Sequence, residues 1–240
     1  MRSREQIYFF FDQNRCTGCA ACGVACKDWN GVPAGREVQW RRVYSTEAGT
    51  FPRVDVTHLC MSCLHCAEPA CAKACPTGAI YKEEEHGFVI VNRDVCNGCR
   101  QCQVACPYGA PQYAPGEPKM MKCTFCHDRQ AVGKKPACVD ACPYEALDSG
   151  TEAALRARHG PDIAPLRAGT LEGIGAEHEA TVPSLFVRAR PLRIDPGAPR
   201  LTRKNGYAVG HTRPIAGPEE TSWRERASTP YQRKPRKLGC

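Results

Sequence analysis

No stretch of this 240-residue chain approaches the roughly 18 to 20 consecutive apolar residues that a membrane-spanning helix needs. The apolar run near its start, Ile7 to Phe11, is five residues long and leads into Asp12. Met1 to Glu5 are followed by neither an apolar h-region nor a small-residue cleavage site, so no leader of its own is expected. Membrane attachment or export is expected to come only through a partner. Aromatic residues make up 8% of the chain and mean hydropathy is −0.46, which predicts a thin hydrophobic core. The sequence also lacks a nucleophile-and-base pattern and a glycine-rich phosphate cradle, so no catalytic residue is nominated and no substrate chemistry is expected.

What the chain has instead is cysteine, 18 residues of it. The densest stretch, residues 58 to 107, contains HLCMSCLHCAEPACAKACP and then VCNGCRQCQVACP. Cys63, Cys66, Cys71 and Cys75 form one quartet, and Cys96, Cys99, Cys102 and Cys106 the next. Earlier, RCTGCAACGVACK supplies Cys16, Cys19, Cys22 and Cys26. Later, KCTFCHDRQAVGKKPACVDACP supplies Cys123, Cys126, Cys138 and Cys142, with an inserted loop before its third member. The spacing C-x2-C-x2-C-x3-C-P is that of a bacterial ferredoxin: three close thiolates wrap one iron-sulfur cluster while the fourth reaches a second. A zinc site, by contrast, usually draws two close ligands from each of two distant places. Cluster assembly requires reduced thiols, so folding is expected in the cytoplasm.

The crossover rule pairs the quartets. Cys16, Cys19, Cys22 and Cys142 are expected to hold a first 4Fe-4S cluster, and Cys123, Cys126, Cys138 and Cys26 a second. Cys63, Cys66, Cys71 and Cys106 are expected to hold a third, and Cys96, Cys99, Cys102 and Cys75 a fourth. Cys60 and Cys240 are left over; Cys63 is preferred to Cys60 because it completes its run, and Cys240 reads as a free thiol. Pro76, Pro107 and Pro143 follow three of the quartets and turn the backbone beside the cluster. Lys27 takes that place at the first, either as a charge near a cluster or as a solvated lysine.

At 240 residues the chain stands near the boundary between one domain and two. Strands are expected over residues 7–11 and 88–91, with a hairpin over 79–91, a short strand at 146–147 and a helix over 149–160. The fold class expected is α+β: tandem bacterial-ferredoxin-like modules, one inserted in the other, with an extended C-terminal tail. Residues 1–57 and 111–160 make the split module, 58–110 the inserted one, and 161–240 a basic, proline-rich arm wrapping a partner subunit. Residues 187–240 carry 13 Lys or Arg and 4 Asp or Glu, a net +9, so of the formal +8 the first 186 residues hold 8 − 9 = −1. Charge alone is a weak sign of nucleic acid, and no reading element accompanies it, so no nucleic-acid partner is expected. Four oxidised clusters with their thiolates contribute on the order of −8 and nearly cancel the formal charge.

Residues 5 to 160 resemble the four-cluster iron-sulfur beta subunit of the DMSO reductase family of molybdenum or tungsten enzymes. The likeness is carried by FFFDQNRCTGCAACGVACKDWN, CLHCAEPACAKACPTGAI, GFVIVNRDVCNGCRQCQVACPYGAPQY and KCTFCHDRQAVGKKPACVDACPYEALDSG. Related nitrate reductase beta subunits carry Trp where Cys99 stands here, so four 4Fe-4S clusters are expected. The resemblance implies a molybdopterin catalytic subunit facing the Cys16 quartet. Electrons would run past the fourth and second quartets to the third, then to a membrane anchor or a soluble redox carrier. PYGAPQY, residues 107–113, would line that far end. His65 and His127 adjoin ligands and are expected mostly to pack at the surface; Trp29 and Trp40 are read as packing rather than stepping stones. Two other classes stay open: a stand-alone polyferredoxin carrier, and a zinc-stabilised binding module using the basic arm.

Overall fold

The computed structural model describes residues 5–34, 37–114, 116–171, 174, 176–191, 200–204 and 207–208. The apolar run near the start forms strand β1, Tyr8–Asp12. Phe9, Phe10 and Phe11 are all at most 1% exposed, so this strand is covered on both faces. Alternation divides its side chains: Phe9 and Phe11 enter the main core among the cysteines, whereas Phe10 packs with Leu155, Ile163 and Phe186 on the other face.

Two long antiparallel strands, β2 (Arg42–Thr50) and β3 (Arg53–Met61), follow as a hairpin that sequence reasoning did not assign. Strands β4 (Ile80–Lys82) and β5 (Val89–Val91) pair as the expected hairpin. A further hairpin joins β6 (Gln112–Ala114) to β7 (Glu117–Met121). β8 (Leu147–Gly150) lies antiparallel to β1. The expected helix after it runs Glu152–His159: the Thr151 side chain accepts from the Ala154 N–H at its start, and Gly160 ends it. With its short helices and small sheets the chain is an α+β protein.

The arm expected from residue 161 is not extended at its beginning. β9 (Ala164–Pro165), a 3-10 turn over Ala176–Thr181 and β10 (Leu185–Arg188) belong to the folded body. β10 runs parallel to β1 and completes a four-stranded sheet ordered β8-β1-β10-β9. Leu185, Phe186 and Val187 are 1–3% exposed; this short apolar run finds its cover against β1, far away in sequence. β11 (Arg200–Lys204) adds to the edge of β2. Most of the remaining tail, with Cys240, lies outside the described residues. Among the described residues no helix is long and apolar enough to cross a membrane.

Candidate metal centres

The four cysteine runs are presented by short helices. In the first, α1 (Ala21–Asn30) carries Cys22 and Cys26 one turn apart. α2 (Ala70–Lys73) carries Cys71, α3 (Gln101–Ala105) carries Cys102, and α5 (Ala137–Asp140) carries Cys138; α4 (His127–Gln130) follows Cys126. The loops before α1 and α3 repeat one backbone conformation. Gly18 and Gly98 have φ of 73° and 70°, and Ala20 and Arg100 have φ of 61° and 62°. These left-handed steps curl three thiols toward one point. At Gly98 a Cβ would stand 2.3 Å from the Pro118 carbonyl oxygen, so glycine is required twice over.

Lys27, in the position that proline occupies after the other runs, explains why α1 is ten residues long while α2, α3 and α5 have four or five. Its ammonium donates to the carbonyls of Pro33 and Val38 at 2.7 and 2.5 Å and ties down the segment that follows the helix. The longer helix brings in Asn30, whose amide donates to Cys26 Sγ at 3.8 Å and Cys126 Sγ at 3.7 Å. Backbone N–H groups add further donors to sulfur: Phe125 to Cys123, Ala146 to Cys142 and Met120 to Cys96, at 3.2 to 3.4 Å.

The thiols gather in sets. One cavity is lined by Cys16, Cys19, Cys22 and Cys142, with Cys60 and apolar neighbours such as Phe11 and Val43. A second is lined by Cys63, Cys66, Cys71 and Cys106, with Tyr108 and Thr181. Both are lined by sulfur and apolar side chains. Cys26 faces Cys138 and Cys126, and Cys123 faces Cys26 and Cys138. Cys102 faces Cys75, Cys96 and Cys99. Between sets, Cys22 neighbours Cys26, Cys63 neighbours Cys123, and Cys71 neighbours Cys102. Each group of thiols thus has a neighbour in the next.

Burial pushes the thiols of Cys16 and Cys102 up to about 11 and those of Cys26, Cys66 and Cys71 up to about 12. Cys22 is also raised, first by its contact with Cys60 and then by burial. Cys75 goes the other way: its slight burial is outweighed by hydrogen bonds from Ile80, Thr77 and Ala79, which lower it. Soft sulfur donors in dry, apolar surroundings fit iron-sulfur clusters, and loading them displaces the protons that burial favours.

Of the residues the sequence singled out beside the ligands, His65 stands elsewhere than expected. His65 is fully buried rather than superficial: its Nδ1 accepts from the Val89 N–H at 2.9 Å. Burial first, then the charges of Lys122, Lys82 and Arg41, holds it well below the usual histidine range. His127 is exposed. Trp29 donates to Asp128 at 2.8 Å under Arg129, and Trp40 packs beside the core. Within 107–113, Tyr113 packs near Cys96 and Cys102, but Tyr108 lines the Cys63 cavity and donates to the His178 carbonyl at 2.9 Å. Asn30, Arg41, Cys60 and Thr181 were not nominated, and only the leftover status of Cys60 had drawn notice. Its Sγ lies 3.6 Å from that of Cys22.

Sixteen ligand-spaced cysteines drawn together within one polypeptide define a ferredoxin-type protein. The 4Fe-4S dicluster domain family matches residues 54–152. The B component of the anaerobic dimethyl sulfoxide reductase of Escherichia coli (strain K12) is 48% identical over 171 residues, covering 67% of this chain and 82% of that one. The probable anaerobic dimethyl sulfoxide reductase chain YnfG of the same strain is 47% identical over 223 residues, 90% of this chain and 98% of the relative. The B component of the sulfite dehydrogenase of Allochromatium vinosum is 40% identical over 189 residues, 67% and 78% of the two chains. The chain is a member of the family of four-cluster iron-sulfur subunits of DMSO reductase-type oxidoreductases. Its cofactors are four 4Fe-4S clusters, and it serves as an electron-transfer subunit.

Proposed function

We propose that electrons cross this chain through four clusters held by crossed ligand sets. The first set is Cys16, Cys19, Cys22 and Cys142, and the second is Cys26, Cys123, Cys126 and Cys138. The third is Cys63, Cys66, Cys71 and Cys106, and the fourth is Cys75, Cys96, Cys99 and Cys102. The observation that carries this reading is the succession of thiol neighbours, Cys22 to Cys26, Cys123 to Cys63, and Cys71 to Cys102. A bound cluster supplies one-electron redox chemistry; the chain's own residues fix its distance from the next and the dryness around it.

The nested arrangement of two ferredoxin-like modules belongs to the same proposal. Each run contributes one ring to a shared central group: Phe9 before the first, His65 within the second, Phe88 before the third and Phe125 within the fourth. Phe9 stacks on Phe125 at 3.9 Å, Phe125 on Phe88 at 4.8 Å, and His65 meets Phe125 edge-on at 5.0 Å. His65 and Phe125 hold the same place, between the first two cysteines of C-x2-C, which is the mark of a repeated unit.

A molybdopterin catalytic subunit would dock at the first-set end, where Cys19 is exposed, and a membrane anchor or soluble carrier at the fourth-set end, where Cys99 is exposed. The basic tail beyond residue 208 would lie along one of these partners. The test is anaerobic purification from the source cell, counting iron, sulfide, molybdenum and tungsten and identifying the copurifying chains. About sixteen irons per chain, together with a molybdopterin subunit, is the expected result. The same iron in a lone chain would make it a free polyferredoxin, and zinc in place of iron would overturn both.

A further inference from the structure

Arg41 stands immediately before β2 and is 5% exposed. A guanidinium keeps its charge at any pH a protein meets, and burying that charge is costly unless negative groups face it. Its Nη2 donates to Cys138 Sγ at 3.2 Å and its Nη1 to Cys60 Sγ at 3.8 Å. Nε has no hydrogen-bond partner, and the guanidinium lies 4.6 Å from the centre of the Phe9 ring. The groups that chiefly balance its charge are cysteines: Cys138, Cys60, Cys22 and Cys123. Neutral thiols are weak partners for a buried cation. Metal-bound thiolates carry the negative charge this site is built to meet.

The contacts are also selective. Cys138 belongs to the second set. Cys60 belongs to none, but its sulfur lies 3.6 Å from that of Cys22 in the first set. Cys60 thus accepts from Arg41 on one side and has its S–H free to donate to Cys22 on the other. Neither sulfur to which Arg41 donates belongs to the third or fourth set.

We propose that Arg41 is a positioning residue that sets the reduction potentials of the first and second clusters together. Its fixed charge lies between Cys138 and the Cys60–Cys22 pair and favours the reduced, more negative state at both sites. The inference rests on the ligand sets proposed above. Raising two potentials at one end of the line biases resident electrons toward that end.

The experiment is an EPR-monitored redox titration of the native complex carrying Arg41→Gln or Arg41→Lys, purified anaerobically and assayed for iron. In Arg41→Gln, two of the four clusters should show at least a tenfold lower reduced-to-oxidised ratio at fixed potential, or about 59 mV for a one-electron couple. The other two should stay within twofold of wild type. Arg41→Lys, which keeps the charge, should hold all four within threefold. Unchanged potentials in Arg41→Gln, or an equal shift of all four clusters, overturns the proposal. So does a tenfold drop in Arg41→Lys, or loss of iron from both variants, which would make the residue purely structural. A wild-type iron count well short of about sixteen would instead remove the ligand reading itself.

Discussion

The proposed outer thiol sets share the compact C-x2-C-x2-C spacing, whereas the inner ones stretch it before Cys71 and, by a loop, before Cys138, and the two kinds live in different surroundings. In the second set Cys26, Cys123, Cys126 and Cys138 are all buried, and in the third only Cys106 is partly open. The first and fourth sets each contain one exposed cysteine, Cys19 and Cys99, and two that are partly exposed. Inner sites are closed by parts distant in sequence: Arg41 beside the second, Thr181 of the 3-10 turn against the third. Outer sites combine their own curled loops, Gly18 to Ala20 and Gly98 to Arg100, with distant parts as well, Phe11, Val43 and Cys60 at the first and Pro118 beside the fourth. Burial suits a centre that only passes electrons on within the chain, and exposure suits one that meets another protein.

The largest effect expected from breaking that contrast is at an inner ligand. Cys123→Ser should cost the protein its fold, because the second set ties α1 to α5 through the core and structural metal supplies roughly 10 kcal/mol or more of folding free energy. Cys99→Ser should cost only its own site, about four irons of sixteen, with the remainder still folded. Iron per chain together with circular dichroism separates the two; equal losses from both variants would abolish the distinction.

Next in size is the loop geometry of the outer sets. Gly98→Ala meets the Pro118 carbonyl at 2.3 Å in addition to a positive φ and should destabilise by more than about 2 kcal/mol. Gly31→Ala, with a φ of 58° but open space, should cost about 1 kcal/mol. Denaturant melts of the loaded protein rank them, and a reversed order would show that steric approach does not govern the loop.

Asn30 sharpens the comparison on the inner side. Asn30→Leu removes the amide that donates to Cys26 and Cys126, and the second-set potential should fall by the equivalent of about 1 kcal/mol with the others unmoved. A redox titration showing no change in any cluster would leave the amide a helix-end contact only.

The smallest effect lies outside the sites. Burial would raise Asp148, but bonds from His159, the Ser149 N–H and Arg158 outweigh it and hold the carboxyl below its ordinary 3.8. The folded state then binds fewer protons than the unfolded one, so the contribution is complete above the ordinary carboxylate range and is lost as pH falls through it. Asp148→Asn should remove about 1 to 2 kcal/mol at neutral pH and flatten the acid limb of the melting profile. An unchanged acid limb would refute the role given to this carboxylate.

Much of the fold was legible where a pattern is local. β1 announced itself through three consecutive phenylalanines, the β4–β5 hairpin through apolar runs around EEEHG, and the last helix through Thr151 and Gly160. β2, β3 and β10 were not assigned. VDVTHL does alternate, but β10 is only four residues in a basic, proline-bearing region and acquires its identity from a strand 176 residues away. His65 was misjudged for a similar reason: nothing beside Cys66 reveals that Phe9, Phe88 and Phe125 close around it.

Cysteine spacing by itself determined the number and kind of the centres, because every run opens with C-x2-C and closes with C-x3-C, which makes sixteen ligand-spaced thiols for four clusters. It also determined the repeated loop conformations, since Gly18 and Gly98 admit the left-handed backbone the spacing requires. The tertiary structure alone decided which sites are inner and which outer, and it alone brought Asn30, Arg41, Cys60 and Thr181 to particular sulfurs. Spacing acts over a few bonds. Burial, and the electrostatics that burial strengthens, depends on which distant segments close over a site, and only packing settles that.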